Sequence, residues 1–222
     1  MATLRDVPAI ILASRLAILE PAGKLSRFCE GEYALYDAAN VSHDNQLTVH
    51  DILLSVAVNS RLDAKGLSSI WREKWRVEQH LGLLPPTLDL ADPHAEIPWE
   101  TIVRVFTEFE HIRHAKLAVA SKILHKKRPS LIPMMDDVIR RYYQQAYPEF
   151  AWSRMCGPLS GQLMHHFRDD LLAARPQLET LAAYLHADGY QLTLVRLLEM
   201  LIWIERDPKR RYHDGPVTEK ET

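Results

Sequence analysis

The side chains best suited to chemistry crowd into one stretch of this chain. From His111 to Met135 there is no Asp or Glu, yet there are six Lys or Arg: Arg113, Lys116, Lys122, Lys126, Lys127 and Arg128. Arg140 and Arg141 continue the excess. Lys122 and Lys126 stand one helical turn apart and share a face, with Leu117, Ala120, Ile123 and Leu124 on the opposite one. An exposed basic face of this kind suits phosphates, because neutralising them releases counterions. The plainer reading is a solvated helix face with no ligand. The formal net charge is −2, so no global field draws the chain to DNA or an anionic membrane, and any attraction must be local.

Other reactive residues are scattered. His165 with Asp169, and His166 with Asp170, are each one helical turn apart, as two ligands of a divalent ion would be. No third ligand follows at a matching interval, and adjacent histidines point to different faces. These residues, like His111 and His114, read as surface polar groups, and neither metal nor organic cofactor is expected. Trp71 and Trp75, in Trp-Arg-Glu-Lys-Trp, suit a stacking platform for flipped or single-stranded bases. An aromatic pair at helical spacing is more often core packing, with Arg72, Glu73 and Lys74 facing water. Tyr142 and Tyr143 carry the same two readings, and one of them is expected to face outward. Cys29 and Cys156 are too few and too distant for a disulfide framework or a Cys-based zinc site, which fits a reducing compartment. Gly-rich phosphate loops, Gly-x-Ser-x-Gly and His-Glu-x-x-His are all missing, which removes the common nucleotide, ester and zinc enzymes.

The elements that must position these residues read as helices. Hydrophobic residues at 47% and charged residues at 25% are ordinary globular values, and Gly is scarce. Val7, Ile10, Ile11, Ala13, Ala17 and Ile18 recur at helical spacing, with Pro21 and Gly23 ending that element. Further helices are predicted over 24–39, after the capping box at Thr48–Asp51, and over 69–80. Residues 85–97 form a Pro-rich loop where a boundary between lobes would fall. Pro98 then opens a helix. Helices follow over 115–127, 137–146, 161–174, 176–187 and 193–206, the last apolar on nearly all sides and so central. The expectation is an all-α fold, one multi-helix domain over 1–206, with a loose tail over 207–222. Neither Val7–Leu19 nor Leu194–Ile204 is long and apolar enough to span a bilayer, so a soluble, cytoplasmic protein without a membrane partner is expected.

The string Ala120-Ser-Lys-Ile-Leu-His-Lys-Lys-Arg-Pro-Ser-Leu-Ile-Pro-Met-Met-Asp136 resembles the signature of an uncharacterised group of bacterial helical proteins. More distantly, the segment is similar to the helix-hairpin-helix DNA glycosylase superfamily. There a Lys-bearing helix ends before a Pro, a short Pro-containing link follows, and a catalytic Asp opens the next helix. Lys116, Pro129, Pro133 and Asp136 fall in that order here, the Asp one position late. The resemblance covers about 25 residues and extends loosely to the helix around Arg196–Trp203. It implies two helical lobes around a cleft and cleavage of the N-glycosidic bond of a damaged or modified base. Asp136 would then stabilise positive charge developing on the sugar or position the nucleophile, or simply cap its helix. Lys116 would be an amine nucleophile if burial lowered its pKa. DNA would be bound by Arg113, His114, Lys122, Lys126, Lys127 and Arg128. The family's hairpin has two glycines whose bare amides approach a phosphate; Ile112 and His114 stand at those positions, with Glu108 and Glu110 upstream. The rival expectation is a non-catalytic helical scaffold that binds a protein or small molecule.

Overall fold

A computed structural model describes residues 7–29 and 34–206; the predicted tail over 207–222 lies outside the described residues. Among them the chain forms a short hairpin, β1 (Ile10–Ile11) and β2 (Ala17–Ile18), and then helices only. These are α1 (Pro21–Cys29), α2 (Ala34–Ala38), α3 (Val49–Ala57), α4 (Ala64–Leu81) and α5 (Trp99–Glu110), followed by α6 (Leu117–Lys127), α7 (Asp137–Ala146), α8 (Cys156–Ala187) and α9 (Leu194–Arg206). The fold is all-α apart from that hairpin.

The first element differs from the sequence reading. Its buried positions alternate, with Ile10 and Leu12 inside and Ile11 outside, which is the period of a strand. Arg15 takes φ 67° to turn the chain, and Ile10 pairs antiparallel with Ile18. Pro21 begins α1 rather than ending a helix; its fixed φ and missing N–H cost nothing in a first turn.

The capping box forms as predicted: Thr48 Oγ1 accepts from Asp51 N at 3.2 Å, and Asp51 Oδ2 accepts from Thr48 N at 2.7 Å. The two helices predicted over 161–187 are one helix of 32 residues, α8. Pro176 removes one backbone bond within it, yet Leu171, Ala174, Leu178, Leu181 and Leu185 hold a single buried stripe across the site.

Helix α9 is central, as its composition predicts. It packs on α1, α7, α8 and β2, burying Val195, Leu197, Leu198, Met200, Leu201 and Ile202. The 85–97 loop is also built into the core, through Leu90, Ala91 and Ile97. Leu90 N donates to Ser130 O at 2.9 Å, and Arg168 Nη2 donates to Asp92 O and Ala95 O at 3.0 and 3.2 Å. One apolar cluster therefore runs from Val7 to Ile202, with a satellite of Tyr36, Leu54, Val58 and Met134 beside it. Among the described residues no helix is long and apolar enough to cross a membrane.

Candidate functional site

The exposed basic face predicted for α6 does not exist. Lys127 and Arg128 are 0% exposed, and Lys122 and Lys126 are buried as well. A buried cation is tolerable only if its protons are taken, and here backbone carbonyls take them. Lys122 Nζ donates to Val58 O at 2.5 Å and Lys126 Nζ to Ala39 O at 3.1 Å. Lys127 Nζ donates to Ser42 O at 2.9 Å and pairs with Asp51 Oδ2 at 2.9 Å. Arg128 donates to Leu84 O, His43 O, Leu81 O and Asn45 Oδ1. Lys126, Lys127 and Arg128 bind the segments at 39–45 and 81–84 to α6, so they cannot meet DNA from this position, and Lys122 is tied to Val58 at the edge of the groove described below. Burial lowers the pKa of Lys122, Lys126 and Arg128.

The same packing fixes Asp136. The link after α6 folds back on it: Leu131 N and Ile132 N donate to Arg128 O, and Met135 N donates to Ser121 Oγ at 2.9 Å. Asp136 then caps α7, its Oδ1 accepting from Val138 N at 2.9 Å and Ile139 N at 3.1 Å. Its Oδ2 accepts from Trp203 Nε1 at 3.0 Å. The predicted cap is present, and a second element, α9, orients the carboxylate from the other side.

Asp136 faces a groove of about 1530 Å³. Its walls are the α3–α4 turn (59–61), the α5–α6 turn with the start of α6 (109–119), the start of α7 and the segment entering α8 (152–159). Lys116, Arg113 and His114 line this groove too, so the structure brings Asp136 and Lys116 to one site. Arg61, Lys122, Arg140 and Arg154 join them, giving six Lys or Arg against three carboxylates, Glu110, Asp136 and Asp137. All three carboxylates are engaged, Asp136 by the α7 cap and Trp203, and Asp137 by a cation of the groove itself. Glu110 accepts from Gly157 N at 2.8 Å, and Asp137 pairs with Arg140 at 3.0 Å. Arg61, Arg113, Lys116 and Arg154 are exposed and have no ion-pair partner among the described residues.

One uncapped helix N-terminus opens on the groove: Lys116, the N-cap of α6, makes no side-chain cap, so first-turn amides there add to the positive field, whereas the first turn of α8 is met by Glu110. His114 takes φ 70°, the left-handed conformation that favours glycine, at one of the two positions where the hairpin glycines were expected. Ile112, at the other, is buried.

Behind Asp136 lies a small cavity of about 50 Å³, lined by Phe28, Val58, Asn59, Lys122, Met134, Asp136, Arg196, Glu199 and Trp203. Asn59, Lys122 and Asp136 belong to both spaces. Arg196 grips Asp37 with two bonds of 2.8 Å and also donates to Glu199. Burial pushes the Glu199 carboxyl up to about 7 against the pull of Arg196. Burial works against the Arg196 charge, but Glu199 and Asp37 outweigh it and hold the guanidinium protonated.

A family profile matches residues 23–206, which takes in the groove and the cavity whole. The chain belongs to the family of unknown function DUF6308. No curated protein and no solved structure matches it. Family membership thus supports the expectation of an uncharacterised family, and adds no activity to it.

The remaining candidates lie outside the groove. Among the described residues no group of three His, Cys, Asp or Glu could hold a metal. His165 packs on Trp99 with ring centroids 3.8 Å apart, and His166 stacks on Tyr147 at 4.0 Å. Asp170 is buried and accepts from Ser14 N and Ser14 Oγ at 2.7 Å and from Tyr143 OH at 3.0 Å. Tyr142 and Tyr143 are both buried, against the expectation that one faces out, because Ser14 and Asp170 satisfy both hydroxyls. Trp71 and Trp75 are neither core nor groove; each is about half exposed beneath a cation, Lys74 and Arg76 respectively. The sequence reading missed Arg61, Arg154, Trp152 and Glu199. Arg61 and Arg154 lie in loops far from the basic run. A charged residue inside the apolar α9 pattern was the one available signal for Glu199.

Proposed function

We propose that the groove binds DNA and that the chain is a DNA-glycosylase-like protein acting on an N-glycosidic bond. The observation that carries this reading is the meeting of Asp136 and Lys116 in one open groove whose other exposed cations are unpaired. Unpaired cations beside the α6 N-terminus suit phosphodiester oxygens. The order of α6, Pro129, a short link and an Asp opening α7 supports the two-lobed glycosylase-like arrangement. In the reaction the bond from the sugar carbon to the base nitrogen breaks, its electron pair leaving with the base. The Asp136 carboxylate would stabilise the cationic sugar and water would form the new bond, because Lys116 is exposed and lacks the burial an amine nucleophile needs. Water's proton would pass to the departing base. No metal or organic cofactor is required.

A second reading has its own observation. Asp136 already accepts from Val138, Ile139 and Trp203, so its lone pairs serve the fold. The groove would then bind DNA without chemistry. Salt-series titrations of duplex and single-stranded DNA, wild type beside Arg113→Glu/Lys116→Glu/Arg154→Glu, test the binding. Steeply salt-dependent affinity that the variant loses is expected, and wild-type-like binding by the variant overturns it. Base release from duplexes carrying modified bases, abolished by Asp136→Asn, separates the enzyme from the scaffold, since Asn still caps the helix.

A further inference from the structure

The cationic side of the groove has an aromatic counterpart. Trp152, Ser153, Arg154 and Met155, between α7 and α8, line it directly. Trp152 is held from behind. Its Nε1 donates to Tyr147 O at 3.1 Å, and its ring packs on Phe150 at 5.2 Å and on His166 at 5.4 Å. The loop backbone is tied down as well. Ser153 N donates to Gln162 Oε1 at 2.7 Å, Gln162 Nε2 donates to Ala151 O at 3.1 Å, and Met155 N donates to Ser153 Oγ at 3.1 Å. Yet Phe150 is 42% exposed and Met155 57% exposed, an unusual amount of apolar surface for a loop so firmly held. Arg154 stands exposed among them without an ion pair.

An aromatic face beside an unpaired cation discriminates between forms of nucleic acid. In a duplex the base faces are stacked on one another, so the double helix offers this wall only phosphates and groove edges. In an unpaired strand every base has a free face that stacks on an aromatic ring, while the phosphates still meet cations. The groove supplies both, with Trp152 and Met155 on one wall and Arg61, Arg113 and Lys116 on the others.

We infer that the 150–155 segment is a base-stacking platform, and that the groove takes single-stranded DNA in preference to duplex, with Trp152 beneath a base and Arg154 on an adjoining phosphate. The inference rests on the DNA reading of the groove and adds a substrate class to it. The test compares an oligo-dT with a duplex of equal length by fluorescence anisotropy, using wild type, Trp152→Ala and Trp152→Phe. Wild type should favour oligo-dT. Trp152→Ala should lose about tenfold or more on oligo-dT with little change on duplex, and Trp152→Phe should keep most of the affinity. Oligo-dT should also quench wild-type tryptophan fluorescence, and Trp152→Phe should lose that quenching, a readout independent of how well Trp152→Ala folds. Equal wild-type affinity for the two DNAs, or equal weakening of both by Trp152→Ala, overturns the platform while the groove still binds DNA. Wild type that binds neither DNA overturns the groove reading and the platform with it.

Discussion

Lys122–Arg128 and the groove cations are built from the same residue types and are used in opposite ways. In the first set each cation is surrounded by carbonyls from 39–45, 58 and 81–84, so its charge is spent inside the protein. In the second, Arg61, Arg113, Lys116 and Arg154 stand exposed at turns and helix starts with no ion-pair partner among the described residues, so the field reaches solvent. A basic run therefore reports how many cations a segment holds. Which of them reach the surface depends on the acceptors that distant parts of the chain bring to meet them.

The contrast is broken most forcefully by disarming the buried set. Lys127→Met leaves Asp51, which is 1% exposed, as an uncompensated charge, and should cost about 3–5 kcal/mol in urea unfolding. If it costs less than about 1 kcal/mol, the clamp is not structural. Crowding the support of the groove is next. A Cβ on Gly157 would meet Thr107 Oγ1 at 2.0 Å and Val103 O at 2.8 Å, so Gly157→Ala should lose about 1–3 kcal/mol by parting α8 from α5.

A pH series sharpens the comparison from the cavity side. Glu199 is raised from 4.5 to about 7, so between these values the unfolded chain binds fewer protons than the native one. Stability should fall as pH rises through that window, by roughly 1–3 kcal/mol, and Glu199→Gln should remove the fall. His125, lowered by burial to about 4, acts in the opposite sense, its contribution being lost as pH drops from 6.5. The wild-type-minus-variant difference isolates Glu199. The smallest stability effect is expected where the functional effect is largest. Arg113→Glu/Lys116→Glu/Arg154→Glu should shift unfolding by no more than about 0.5 kcal/mol per site while affinity for DNA collapses.

Helices with a cap and a clear apolar stripe were legible in the sequence. Asp136 and Thr48 are examples, because the cap and the first turn are set by neighbouring residues. The β1–β2 hairpin was not, since Ile10 and Ile18 fit both a helical and an alternating spacing, and what decides is the Asp170 carboxylate that holds Ser14 from far along the chain. Pro176 suggested a break that the continuous stripe of α8 overrode. Local order gave the succession of Lys116, Pro129, Pro133 and Asp136, but neither the sharing of one groove by Lys116 and Asp136 nor the groove's other wall was legible. Arg61, Trp152 and Arg154 converge on it only through tertiary packing.

The ties between the ends of the chain have a consequence for its synthesis. Ser14 is held by Asp170, Lys24 by Glu205, and Asp37 by Arg196. Ser14, Lys24 and Asp37 thus meet these partners only when residues 170–205 have been made. On the ribosome these three residues must wait for more than 150 further residues before they are tied. Contacts of such long sequence separation fold slowly, so this chain should be among those that need a chaperone's protection while they are being made.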